Sequence, residues 1–304
     1  MGATEKTIFP EEFLNKYKKL LGKEWESFFE CIQVKQPKSF WVNTNKISVG
    51  EVKKVLEAKG GKFSQYSFNE RAFFIEMEKP GDLEEFKSGQ ISLQEKAAML
   101  PVIVLAPKEK ELVLDACAAP GMKTIQLSNL MNNKGKIIAC DVNSERIKFL
   151  DGNCKKYGLT NVETKRIDFR NLASKYREKF DKILLDAPCS SEGLVRKDRE
   201  ALREWSQKLV ERKAQTQKEL IVSAFDLLKK NGEMVYATCS FAPEENEQVV
   251  LQLLEQRKTA EVINVNDLLV GIKIRKNELC ENCVRFYPQD NDTQQFFLAK
   301  IKKN

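Results

Sequence analysis

The chain has 304 residues, with 51 basic and 44 acidic side chains, a net charge of +7, eight cysteines and no histidine. At roughly 100–200 residues per domain this is about two domains, and 42% apolar with 31% charged residues can build and cover a core, which excludes bulk disorder, collagen and coiled coil. The most apolar stretch, Ala97 to Pro107, is 11 residues long, short of the about 20 that cross a membrane, and MGATEKTIFPEEF lacks the apolar core of a secretory signal, so a cytoplasmic protein with no membrane partner is expected.

Residues 11–33 place Phe13, Tyr17, Leu20, Leu21 and Phe28 at helical spacing and read as one helix. SFWVNTN, 39–45, reads as a strand closed by polar residues, and 50–59 as a short helix stopped by Gly60-Gly61. Two β-prone stretches follow, at 63–68 and 72–76, and the turn at Pro80-Gly81 ends a small α+β unit. From residue 89 the rhythm changes. A helix over 93–105 precedes a strand at 111–116, a turn and helix at 117–131, a strand at 136–142, a helix at 144–157 and a strand at 161–167. A strand at 181–186, a long amphipathic helix at 206–230 and a strand at 233–239 complete the series. Strands alternating with helices predict a mostly parallel sheet covered on both faces, an α/β domain over 89–304 behind an α+β domain over 1–88.

The basic surplus is uneven. Residues 1–88 hold 15 basic and 14 acidic side chains, residues 89–304 hold 36 and 30. A polyanionic partner fits this, as does a solvated lysine-rich surface. The stretch 195–218, with eight basic residues, four acidic residues and Trp205, is a candidate for tracking phosphates, against the plainer reading of a solvated helix face.

Without histidine, Ser-His and Cys-His nucleophile pairs are impossible, and acid–base chemistry falls to Asp, Glu, Lys, Cys or Tyr. The first strand of the second domain runs into LDACAAPGMKT, 114–124, where small residues let a ligand approach the backbone and a helix N-terminus favours an anionic group. Four acids, Asp115, Asp141, Asp168 and Asp186, close four successive predicted strands. One such acid is most often a turn former, but ligands of open α/β sheets bind beyond the carboxyl ends of the strands, and four acids in register point to a nucleotide-type cofactor. Cys189 follows the fourth of these strands and Cys239 the fifth, at the same sheet edge, whereas Cys31, Cys140 and Cys154 read as apolar filler. Cys280 and Cys283 lack the second pair that a zinc site needs, so no metal is expected.

DACAAPGMKT, ACDVNSERI, IDFRN, LDAPCSSEG and ATCSFAPEENEQVV together resemble the Sun-type (NOL/NOP/Sun) RNA cytosine-5 methyltransferases, in particular their compact archaeal transfer-RNA members. RFYPQDNDTQQFFLAKI looks like that family's closing strand pair, and SFWVNTNKIS is similar to its N-terminal RNA-binding element. The resemblance implies a Rossmann-like class I methyltransferase domain preceded by a small RNA-binding domain, S-adenosylmethionine as cofactor, an RNA substrate with transfer RNA favoured over ribosomal RNA, and a monomer. It assigns Cys239 as the nucleophile on carbon 6 of cytosine and Cys189 as the residue that assists release. It gives Asp186 the donor role to ring nitrogen 3, which requires a carboxyl kept protonated by burial. Lys123 falls near both cofactor and base. The turn Cys117, Ala118, Ala119, Pro120, Gly121, Met122 and Lys123 is implied to hold the methionine part of the cofactor, Asp141 and Arg146 the ribose, Asp168 the adenine edge, with Asp186 also facing the cofactor. Met122 replaces a glycine usual in the family; Gln289 and Gln295 replace histidine and glycine often found in the tail. Other readings remain open at this point: a DNA cytosine-5 methyltransferase, which would use Cys189 as nucleophile, a small-molecule methyltransferase, or a non-catalytic RNA-binding assembly factor.

Overall fold

The computed structural model describes residues 9–304. Its N-terminal part runs α1 (Glu11–Leu21), α2 (Trp25–Ile32), β1 (Lys38–Val42), α3 (Val49–Ala58), β2 (Lys62–Gln65), β3 (Ala72–Glu76), α4 (Glu84–Lys87) and β4 (Ile91–Leu93). The single helix expected over 11–33 is two helices. Gly22 takes a left-handed φ of 51° and ends α1, and a 3-10 turn leads into α2. The strands form an antiparallel sheet in the order β2-β3-β1-β4. The helix expected from residue 93 starts later, because Ile91–Leu93 join β1 in this sheet and Glu95 caps the helix by accepting the N–H groups of Ala97 and Ala98.

The second part continues with α5 (Lys96–Leu105), β5 (Leu112–Asp115), α6 (Met122–Leu130), β6 (Lys136–Asp141), α7 (Ser144–Tyr157), β7 (Val162–Arg166), α8 (Ala173–Tyr176), β8 (Phe180–Asp186), α9 (Gln207–Leu227) and β9 (Leu228–Thr238). It closes with α10 (Glu247–Gln256), β10 (Ala260–Ile263), β11 (Val284–Phe286), α11 (Pro288–Asn291) and β12 (Phe296–Lys303). The sheet order is β10-β12-β9-β8-β5-β6-β7. The strands from β9 to β7 are parallel, β12 lies antiparallel between β9 and β10, and β11 pairs with β12. This is the Rossmann-like arrangement expected. Alternate residues of each strand feed opposite faces: Val113, Ile137, Leu184 and Val235 enter one core, Leu114, Ile138, Leu185 and Tyr236 the other.

Contacts from β1 and from the first two helices join the parts. On β1, Trp41 Nε1 donates to Asn129 Oδ1 of α6 at 3.1 Å, and Asn43 Nδ2 donates to Tyr157 O of α7 at 2.9 Å. α1 and α2 leave the small sheet altogether. Phe13, Tyr17, Trp25, Phe28 and Ile32 form a cluster with Val195, Leu202, Trp205 and Phe241, roofing the loops that follow β8 and β9.

Candidate active site

The carboxyl ends of the parallel strands lie at one edge of the sheet, and the four acids and two cysteines singled out above stand on or just past them. The chain leaves β5 through a turn whose Ala118 N–H reaches Cys140 O of the adjacent β6 at 2.8 Å. Gly121 has a φ of 107°, and a Cβ there would meet Leu150 Cδ1 at 2.6 Å, so only glycine fits. It opens α6 without a side-chain cap, which leaves the first N–H groups of that helix available to an anion. Asp115, Cys117, Ala118, Ala119, Pro120, Met122, Lys123 and Asp186 line one cleft. Beneath it, Asp115 accepts from Thr124 Oγ1 at 2.7 Å, and burial pushes its carboxyl up to about 7. Burial also pushes the Cys117 thiol up, and Asp115 adds to this, so Cys117 is an inert wall.

Asp141 closes β6, buried, with Asn143 N–H on Oδ1 at 2.9 Å and Arg146 Nη1 3.1 Å from Oδ2. Arg146 also donates to Ala119 O and so bridges this acid to the turn after β5. Asp168 stands one strand further out, past the end of β7. It caps the next turn by accepting Arg170 N–H at 3.0 Å and pairs with the Arg170 guanidinium, which holds its carboxyl below the usual range.

On the other side, Lys123 Nζ lies 2.6 Å from Asp186 Oδ2. Burial favours the neutral amine, but Asp186, then Cys239 and Asp115, outweigh it and raise the Lys123 pKa. The burial expected of Asp186 from sequence is not what the structure holds: its side chain is 31% exposed and lies against the Lys123 amine. Cys189 Sγ and Cys239 Sγ are 3.2 Å apart. The hydrogen bond to Cys239 holds the Cys189 pKa well above the ordinary thiol value, with burial adding to it.

Loops carrying the cysteines are tied from below by buried groups that sequence reasoning passed over. Glu192 is fully buried and accepts from Tyr17 Oη at 2.6 Å, Phe241 N–H at 2.8 Å, Ser240 Oγ at 3.2 Å and the Trp205 indole. Gly193 N–H donates to Cys239 O at 2.7 Å. Glu192 and Glu245 lay inside two of the quoted segments, LDAPCSSEG and ATCSFAPEENEQVV, but nothing local indicated what they bind.

One expectation about nucleic-acid contacts is corrected. Trp205 is buried against Phe13 and Tyr17, and Arg196 is buried with its guanidinium on Val34 O, Thr293 O and Asp292. Neither reaches solvent because α1 and α2 cover that stretch. Lys197, Lys208 and Arg212 remain exposed on it. Phe40, Trp41 and Asn43 of the presumed RNA-binding element are fully buried as well, committed to the small core and to the docking of β1. Cys280 and Cys283 are buried together, remote in sequence from Cys189 and Cys239.

A family profile described as 16S rRNA methyltransferase RsmB/F matches residues 102–302, and one described as the N-terminal domain of 16S rRNA methyltransferase RsmF matches 9–96. The ribosomal RNA small subunit methyltransferase F of Vibrio campbellii is 39% identical over 303 residues, covering 97% of this chain and 63% of its own length. The Escherichia coli protein of that name is 36% identical over 311 residues, with 99% and 64% covered. This chain therefore spans less than two thirds of the length of these curated relatives. A methyltransferase homologue from Pyrococcus horikoshii, solved by crystallography, superposes with a TM-score of 0.85 at 32% identity, covering 95% of this chain and 94% of that one. NSun6 from the same organism, with SFG bound, superposes at 0.88 over 98% and 99% of the two chains, and at 24% identity it shows the shared fold. These curated relatives are named for ribosomal RNA, not for the transfer RNA expected from sequence.

Proposed function

We propose, from the premise that this chain belongs to the RsmB/F family of S-adenosylmethionine-dependent RNA methyltransferases, that it methylates carbon 5 of a cytosine in small-subunit ribosomal RNA through a covalent adduct with Cys239. The observation that carries this reading is the pair of thiols 3.2 Å apart at neighbouring strand ends, beside the Lys123–Asp186 ion pair.

The residues present fit the cofactor. Ala118, Ala119 and Gly121 leave backbone open beside the uncapped start of α6, which suits the methionine carboxylate. Asp141 offers a buried carboxylate where ribose hydroxyls would be received, once Arg146 shares it. Asp168 is the candidate for the adenine edge on the outer strand. When bound, S-adenosylmethionine supplies the methyl group as an electrophile.

The base side supplies the nucleophile. Lys123 lies within electrostatic reach of Cys239, the nucleophile, while the hydrogen bond to Cys239 and burial hold Cys189 as a thiol. Attack of the Cys239 thiolate on carbon 6 pushes electrons toward carbon 5 and ring nitrogen 3. A carboxylate alone cannot donate to that nitrogen; the Lys123 ammonium passes the proton through Asp186. Formation of the thioether removes the charge beside Cys189 that had raised its pKa; once carbon 5 carries the methyl group, nitrogen 3 releases its proton to solvent, and Cys189 gives its own proton to the Lys123 amine left by the first transfer and becomes a thiolate base. It takes the carbon 5 proton, the C–H electron pair restores the ring double bond, and the C6–S pair returns to Cys239.

The test is methylation of small-subunit ribosomal RNA and of transfer RNA in parallel, with the product mapped by bisulfite sequencing. Carbon 5 label confined to the ribosomal RNA is expected. Label in transfer RNA alone would overturn the substrate assignment, and a methyl group on another atom would overturn the chemistry.

A further inference from the structure

The peptide groups on both sides of Cys189 hang on one buried carboxyl group. Ser190 N–H, on the following residue, donates to Glu245 Oε2 at 3.0 Å and to Oε1 at 3.2 Å. Gln217 Nε2, from α9, donates to the carbonyl of the preceding Pro188 at 3.0 Å and to Glu245 Oε2 at 3.2 Å. Glu245 and Gln217 are fully buried, and Tyr236 Oη ties the Glu245 carbonyl to β9 at 2.5 Å.

Packing alone does not account for this arrangement. Gln217 Oε1 is buried without a partner among the described residues. An orphaned buried amide oxygen is destabilising, and a leucine would fill the same space without it. What the glutamine contributes is its Nε2, and both acceptors of that group belong to the support of Cys189. Burial pushes the Glu245 carboxyl up to about 7 against the pull of the Ser190 N–H, and its charge adds to the field that keeps Cys189 a thiol.

We propose that Glu245 and Gln217 are positioning residues that hold the Cys189 thiol against Cys239 for the release of product. The proposal rests on the cysteine roles given above. A loose Cys189 fails to take the carbon 5 proton, so the C6–S bond to Cys239 persists.

The experiment uses the full chain with S-adenosylmethionine and the RNA it methylates. Covalent protein–RNA complex is read on a denaturing gel, beside steady turnover. Gln217→Leu fills the space and lacks the donor. It is expected to accumulate the adduct and to lower turnover by roughly tenfold, the scale of one hydrogen bond to a charged partner. Glu245→Gln, which sets an amide NH2 against Gln217 Nε2, is expected to do the same, and neither adduct should form on a Cys239→Ala background. A plain structural role would lower turnover with no adduct, and that result, or parent-like behaviour of both variants, overturns the clamp. Cys189→Ala run in parallel separates the two levels. If it traps adduct and Gln217→Leu does not, the clamp alone fails; if it does not trap, the cysteine roles fail and the clamp falls with them.

Discussion

The cofactor side and the base side of the cleft are built in different ways. On the cofactor side each group is placed by the strand that ends beside it: the turn after β5 carries the small residues, and Asp141 is fixed by Asn143 two residues on and Arg146 five on. On the base side the placement is made at long range. Cys189 depends on Glu245 and Gln217, and Glu192 gathers Tyr17 from α1, Trp205 from the loop before α9 and Phe241 beyond β9. A cofactor common to many substrates can be held by a local motif. A reaction that must bring two thiols, an ammonium and a carboxylate around one ring needs several loops held at once.

The largest expected effect tests whether the two thiols differ as their proposed roles require. Cys239→Ala should abolish methylation and form no covalent complex, whereas Cys189→Ala should accumulate protein joined to RNA on a denaturing gel. The reverse pattern would make Cys189 the nucleophile.

Next comes a break confined to the cofactor side. Asp141→Ala should weaken S-adenosylmethionine by roughly 10–100-fold, the scale of hydrogen bonds to a charged group, while RNA affinity is retained. Titration calorimetry checks it, and unchanged cofactor affinity would remove Asp141 from the map.

The base-side counterpart is Tyr17→Phe, which deletes one of the donors to the buried Glu192. Removing a hydrogen bond to a buried charge should cost about 1.5–3 kcal/mol of stability by denaturant unfolding. Turnover should fall with it and cofactor affinity should hold. Loss of cofactor binding instead would mean the two sides are not separately built.

The smallest effect per residue concerns the exposed charges. Neutralising Lys197, Lys208 and Arg212 together should flatten the salt dependence of RNA binding by about 0.7–0.9 in log–log slope for each phosphate that is no longer neutralised. A slope identical to the parent's would show that this face is solvated surface.

The α/β alternation, the helix stops at Gly60-Gly61 and after 157, the four acids in register and the two cysteines were legible in the sequence, because each depends on short-range periodicity or on one turn. The break at Gly22 was legible in principle but hidden inside a continuous apolar stripe. The strand Ile91–Leu93 was read as the start of a helix because its partner, β1, lies some fifty residues earlier. Trp205 and Arg196 looked like a nucleic-acid face for the same reason: their composition is that of a solvated basic helix, and only the return of α1 and α2 over the strand ends buries them.

The amino-acid sequence by itself determined the kind of sheet and the edge at which its acids and thiols gather, since strand ends and turns are local and their acids and thiols cannot be placed elsewhere. Only the tertiary structure decided that the two thiols lie side by side, that Asp186 is partly exposed and paired with Lys123, and that Glu192, Glu245 and Gln217 support the cysteine loops. Those are properties of distance and burial between segments far apart in the chain. Hydrogen bonds and charges act through space with a reach of a few ångströms, and no spacing along the chain encodes that proximity.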